Sequence, residues 1–271
     1  MKPNIQKLSN SMQYTIWMPE SPVSNILIYF HGGGLIYGTR NDIPYALTST
    51  FLKKGFEVIA LDYPLAPNSS LNTILETSLQ SFLELYQTII KPQNFNYMLC
   101  GRSAGGFIMF WLVNQIIKLS TIKNPTKIIN FYGYYDLKDS NRSKKLTDKP
   151  ISKDLILSIN TTNFIHDDSA LSRYPLYLYL VEKCELQKAY DIKENEVSKY
   201  SITKEELKKF PPIFSAASIS DKEVPFKYSK SLKALSPNNV FYPLYYLDHD
   251  FLKEVDNPQV QKVLQNLENW I

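Results

Sequence analysis

Residues 97–117 read YMLCGRSAGGFIMFWLVNQII. The first four have the short apolar character of a buried strand, and Phe107, Ile108, Trp111 and Ile117 then recur at helical spacing. Between strand and helix stands Ser103, flanked by Gly101 and Gly105. G-x-S-x-G alone is a common pattern. On a strand-to-helix turn it describes a sharp elbow that lifts a hydroxyl above the carboxyl end of a strand, where a small molecule can approach. Gly101 and Gly105 are needed because side chains there would collide with neighbouring elements, and Gly106 lets the helix lie close to the sheet.

The chain has nine glycines, and six of them sit in this stretch and in HGGG at 31–34. HGGG follows Ile26–Phe30, another run with the character of a buried strand. A serine that attacks an acyl carbonyl creates a negative oxygen, and backbone N–H groups stabilise it best where no side chain crowds them. The expected donors are Gly33, Gly34 and Ala104, the residue after the serine; Gly32 shapes the turn. A glycine-rich hairpin turn is the simpler account of HGGG, but it would not require the elbow.

Short β-branched and aromatic runs alternate with helix-period stretches, which predicts an α/β chain with a mainly parallel sheet. The expected strands are Tyr14–Trp17, Asn25–Phe30, Phe56–Leu61, Tyr97–Cys100, Lys127–Tyr132, Pro212–Ala217 and Val240–Leu247. Leu71, Ile74, Leu75, Phe82 and Tyr86 mark a helix. A last helix opens at Asp256, Asn257 and Pro258 and puts Val260, Val263, Leu264, Leu267 and Trp270 on one face. Residues 138–210 break the rhythm, being too long for a plain connection. The expected organisation is a core of residues 1–137 and 211–271, with 138–210 inserted as a helical cap. Its aromatic patch, Tyr174, Tyr177 and Tyr179, reads first as the insertion's own core and second as a roof over a pocket.

A serine of this kind needs a base, and the chain has three histidines. His31 belongs to the glycine loop and is expected to brace it. His166 lies in the insertion beside Asp167 and Asp168, but three adjacent side chains do not easily converge on a metal ion. His249, after the last strand and before the last helix, has the position of the base. The acid is expected between Ser103 and His249 in sequence. Asp221 fits, following a strand and a turn, with Glu223 as the fallback. Asp248 and Asp250 adjoin His249 and are expected to point away from its ring; Asp136 comes too early and is expected to support the cap.

The net charge of +4 comes from lysines spread along the chain, a solvated surface rather than a nucleic-acid footprint. No segment approaches the roughly 18 apolar residues of a membrane span, and the N-terminus lacks a signal-peptide core. Two cysteines, Cys100 and Cys184, make neither a disulfide framework nor a zinc spacing. These features predict a soluble, cytoplasmic protein with reduced thiols.

HGGG at 31–34, DYPLAP at 62–67, GRSAGG at 101–106, D-x-x-VP at 221–225 and DHDF at 248–251 together resemble the hormone-sensitive-lipase-like α/β-hydrolases, which include bacterial acetyl esterases and carboxylesterases. The resemblance runs from about residue 24 to the last residue, the insertion excepted. It implies an α/β-hydrolase fold, a Ser103–Asp221–His249 triad and hydrolysis of short-chain carboxylic esters through an acyl-enzyme, without cofactor or metal. The chain departs from the family at Pro64, where Arg is usual, and at Asn68 and Arg102, where an acidic residue is usual. With the first strand expected at Tyr14, the family's N-terminal cap segment is nearly absent. These departures bear on the acyl and alcohol preferences. Amidase, peptidase or arylformamidase-type hydrolysis would use the same triad and stays open. A non-catalytic ligand-binding relative should show a damaged triad. The expected partner is a small-molecule ester, with no nucleic acid and no stable membrane association; a homodimer stays open.

Overall fold

Strand β3 (Asn25–Phe30) lies at the middle of the molecule because its residues pack apolar side chains on both faces of the sheet. The computed structural model describes residues 3–271. Eight strands form one sheet: β1 (Asn4–Lys7), β2 (Gln13–Trp17), β3, β4 (Phe56–Leu61), β5 (Asn96–Arg102), β6 (Lys127–Phe131), β7 (Ile213–Ser218) and β8 (Val240–Leu244). Their order is β1-β2-β4-β3-β5-β6-β7-β8, with β1 and β2 antiparallel and the other six parallel. This is the expected α/β-hydrolase architecture. Strand β1 was not expected from the sequence, and its side chains are exposed throughout.

The helices cover both faces: α1 (Tyr45–Lys53), α2 (Leu71–Leu85), α3 (Ala104–Ile116), α4 (Lys153–Ser158), α5 (Tyr174–Glu182), α6 (Leu186–Ala189), α7 (Lys204–Leu207), α8 (Lys227–Leu232) and α9 (Pro258–Trp270). Helix α9 starts as its sequence demands. Asn257 accepts a hydrogen bond from the Gln259 amide, Pro258 occupies the first turn, and Val260, Val263 and Leu267 are buried. Both cysteines are free, and no helix among the described residues is long and apolar enough to cross a membrane.

The chain order reverses at β3. The next strand, β4, lies on one side of β3, and β5 returns to the other. Connections that diverge this way leave a crevice at the carboxyl ends of the two strands. Phe30 pairs with Gly101 across β3 and β5, so HGGG and the Ser103 turn emerge side by side.

Helices α4–α7 all fall between β6 and β7. The segment is seated on the rest of the chain rather than standing off it. Leu176, Leu180, Val181, Leu186 and Tyr190 join one apolar cluster with Leu71, Phe107 and Phe110. Arg173, buried, donates from Nε to the Ile36 carbonyl and from Nη2 to the Ala66 carbonyl and Asn68 Oδ1, at 2.8, 2.8 and 2.7 Å. Asn68, one of the departures from the resembled family, thus accepts from the insertion. His166 Nδ1 lies 3.1 Å from Asp62 Oδ2, beside the buried Arg40–Asp62 ion pair. Asp136 accepts from the Ser201 hydroxyl at 2.9 Å.

Candidate active site

Ser103 follows β5 with φ 53° and ψ −120°, a left-handed backbone that a side chain adopts only when its surroundings impose it. Its amide donates to the Phe131 carbonyl and its carbonyl accepts from the Gly106 amide, both at 2.9 Å. A Cβ at Gly105 would stand 2.2 Å from the Phe30 carbonyl oxygen, so a larger residue would push α3 off β3.

The turn places Ser103 Oγ 2.8 Å from His249 Nε2, and His249 Nδ1 lies 2.6 Å from Asp221 Oδ2. Asp221 is pinned by its own loop: its Oδ1 accepts from the amides of Glu223 and Val224 at 2.8 and 2.9 Å. Glu223, the fallback acid, instead accepts through Oε2 from the Tyr177 hydroxyl at 2.8 Å. Burial by itself lowers the imidazole pKa, but the carboxylates of Asp221, Glu223 and Asp250 outweigh it and raise the pKa to about 9.

Gly33 has φ +102°, and a Cβ there would lie 1.9 Å from the Tyr37 carbonyl oxygen. The Gly33 carbonyl accepts from the amides of Ile36 and Tyr37. Among the described residues no hydrogen bond uses the N–H of Gly33, Gly34 or Ala104 as donor. Three unspent amide donors therefore stand at the elbow, one of them opening α3, whose amide dipoles favour negative charge there. His31 braces the glycine loop: its ring stacks on Tyr63 at 4.1 Å and Nδ1 lies 2.8 Å from the Gly32 carbonyl oxygen.

A second polar layer, not expected from the sequence, lies beside the serine. Arg102, buried beside the serine, donates from Nη2 to Asp42 Oδ2 at 2.6 Å, and its Nη1 lies 3.4 Å from Asp250 Oδ1. Tyr29 donates to Asp42 at 2.9 Å and Tyr132 to Asp250 at 2.8 Å. The Tyr132 ring meets that of His249 edge-on at 4.7 Å. Asp250 does point away from the imidazole, and it thereby joins the histidine loop to the elbow. The signal was present in Arg102, where the resembled family has an acid, but its partners lie 60 and 148 residues away in sequence.

Ser103 opens on two cavities. The inner one, about 40 Å³, is lined by Tyr134, Tyr177 and Tyr190. The outer one, about 320 Å³, is bordered by Tyr37, Tyr132, His249 and Leu171. Of the three insertion tyrosines, Tyr177 is buried and lines the inner cavity, whereas Tyr174 is exposed.

No curated protein matches the chain. Among solved structures, an α/β hydrolase superfamily protein from Enterococcus faecalis superposes with a TM-score of 0.94 at 42% identity, over 99% of this chain and 98% of that one. A Staphylococcus aureus protein of unknown function gives 0.85 at 23%, over 100% and 98%. Carboxyl esterase 2 of the fungus Tuber melanosporum gives 0.66 at 17%, over 98% and 84%, a likeness of fold alone. Residues 27–188 match the sequence family of the α/β hydrolase fold. With that stretch containing both glycine clusters and the elbow, the chain belongs to the α/β hydrolases.

Proposed function

We propose that the protein is a serine hydrolase that cleaves short-chain carboxylic esters through an acyl-enzyme. The observation that carries the reading is the unbroken hydrogen-bonded chain Asp221–His249–Ser103, set beside unspent amide donors. His249 Nε2 takes the Ser103 proton as Oγ attacks the ester carbonyl, and Asp221 holds the imidazole with Nδ1–H facing the carboxylate. The amides of Gly33, Gly34 and Ala104 stabilise the oxygen that becomes negative. The departing alkoxide receives its proton from His249, so the alcohol leaves on the side His249 borders, the outer cavity. The acyl group stays on Ser103 and occupies the inner cavity until water, activated by the same imidazole, releases the acid.

The inner cavity, about 40 Å³, is far smaller than the outer one of about 320 Å³. That favours acyl groups of a few carbons. Hydrolysis of p-nitrophenyl acetate, butyrate and octanoate, with Ser103→Ala beside the wild type, tests the reading. Serine-dependent turnover that falls steeply at octanoate is expected. Absence of serine-dependent turnover on all three would overturn it and bring amide substrates forward.

A further inference from the structure

The inner cavity is poorly suited to an alkyl chain. Around Ser103 its wall carries Asp136, Asp139, Lys144, Glu223 and the hydroxyls of Tyr177 and Tyr228. The two aspartates are spent. Asp139 accepts from Tyr228 at 2.9 Å and pairs with Arg142 at 2.7 Å and Lys227 at 2.5 Å. Asp136 accepts from the Lys138 amide and Ser201 at 2.8 and 2.9 Å, and pairs with Lys138 Nζ at 3.3 Å.

Lys144 and Glu223 are not spent. The Lys144 ammonium, half-buried, has one hydrogen-bond partner among the described residues, the backbone carbonyl of Glu223, and two protons remain unused. Burial pulls its pKa below that of a free lysine, against the opposing fields of Asp221, Glu223 and Asp139. Glu223 Oε2 is taken by Tyr177, while Oε1 accepts nothing and the carboxylate has no ion-pair partner among the described residues. Glu223 borders both cavities, as Ser103 and Gly34 do, and Lys144 lines the inner one with it.

An alkyl chain filling the cavity would strip water from both groups and return no hydrogen bond. A second carboxylate would meet Glu223 and Asp139, and a second ammonium would meet Lys144. A hydroxyl accepts from one and donates to the other. Resting on the esterase reading above, we infer that Lys144 and Glu223 select short acyl groups bearing a hydroxyl, which makes the substrates esters of small hydroxy acids. The chemistry is unchanged: the bond from Ser103 Oγ to the acyl carbon forms as the ester C–O bond breaks, His249 protonates the alcohol, and water releases the hydroxy acid.

The test compares kcat/KM within two pairs of p-nitrophenyl esters, lactate against propionate and 3-hydroxybutyrate against butyrate, for the wild type, Lys144→Met and Glu223→Met. The wild type should favour the hydroxyl-bearing member of at least one pair by about 10-fold, and each variant should lower that ratio about 10-fold. The ratio cancels any loss of folded enzyme, and also the effect of Glu223 on the His249 pKa. A wild-type ratio at or below one in both pairs, a ratio unchanged in both variants, or faster turnover of the hemisuccinate or 3-aminobutyrate ester would overturn the inference. If the wild type hydrolyses none of these esters, the esterase reading fails, and calorimetry of the free acids then decides the cavity's preference. Tighter binding of 3-hydroxybutanoate than butanoate, lost in Glu223→Met, would uphold it; equal binding would sink it.

Discussion

Replacing Arg102 with methionine should loosen the layer beneath the reactive serine, and the geometry sets the size of the effect. Arg102 is 4% exposed, and its partners Asp42 and Asp250 are 20% and 32% exposed. Removing one member of a buried charge pair costs about 3–5 kcal/mol, because the partner is left without a counter-charge. Here the lower end applies. Asp42 keeps the Tyr29 hydroxyl, Asp250 keeps Tyr132 and Lys253, and Arg102 itself holds Nε and Nη1 buried without hydrogen bonds. A loss of about 3 kcal/mol corresponds to about 6–12 °C in melting temperature for a chain of this size. The pH dependence carries a second signature. Burial raises the Asp250 pKa, but Arg102 first, then Lys253 and Tyr132, hold it down at about 2. A depressed carboxyl contributes stability above its unfolded pKa of 3.8 that is lost as pH falls through about 2. The gap between wild type and Arg102→Met, followed by circular dichroism melts, should therefore be full above about pH 4 and narrow toward pH 2. Changing Asp42 and Asp250 to asparagine in the Arg102→Met background should recover most of the loss, since no carboxylate then lacks its partner. A variant that melts within about 2 °C of wild type at pH 7, or a gap that does not narrow in acid, would refute the reasoning.

Two further outcomes concern the reaction. With the His249 pKa raised to about 9, kcat/KM should climb with pH through the alkaline range, because only the neutral imidazole accepts the serine proton. The same shift stabilises the fold below the imidazole's ordinary pKa of 6.5 and loses that contribution as pH rises through about 9. A pH–rate profile already flat by pH 7.5 would contradict the assignment, and Glu223→Met should move the rising limb to lower pH. Asp221→Asn should cut kcat by about 10⁴-fold: asparagine can still accept from the Glu223 and Val224 amides, but its NH2 faces Nδ1 and imposes the wrong tautomer. A loss under about 10-fold in steady-state kinetics would mean that another carboxylate orients His249.

The buried strands were legible because their side chains pack on both faces. Asn25–Phe30 and Phe56–Leu61 are found with the bounds their apolar runs suggested. Strand β1 was not legible: Asn4–Lys7 is exposed on all four residues and pairs only at an edge, so no hydrophobic pattern marks it. Helix α9 announced itself through Asn257, Pro258 and one apolar face. Short helices such as α6 and α7, four residues each, have too few turns to impose a period. In the insertion, three nearby tyrosines looked alike in sequence, and only packing against Gly34 and Glu223 put Tyr177 on the cavity wall.

The elbow and the glycine loop could be read from the sequence because their requirements are local. A left-handed Ser103 between a strand and a helix, and Gly33 at φ +102°, are conditions on a few adjacent residues, and they leave glycine in the chain wherever a Cβ would not fit. Which carboxylate meets His249 was decided by tertiary structure. Asp221 and Glu223 are two residues apart, and only the turn that folds the Glu223 and Val224 amides onto Asp221 turns one toward the imidazole and the other toward Tyr177. The Arg102 layer and the donor–acceptor wall of Lys144 and Glu223 are likewise products of distance in sequence. Their partners are brought together by neighbouring loops at one end of a parallel sheet, and side chains so far apart along the chain leave no spacing to read.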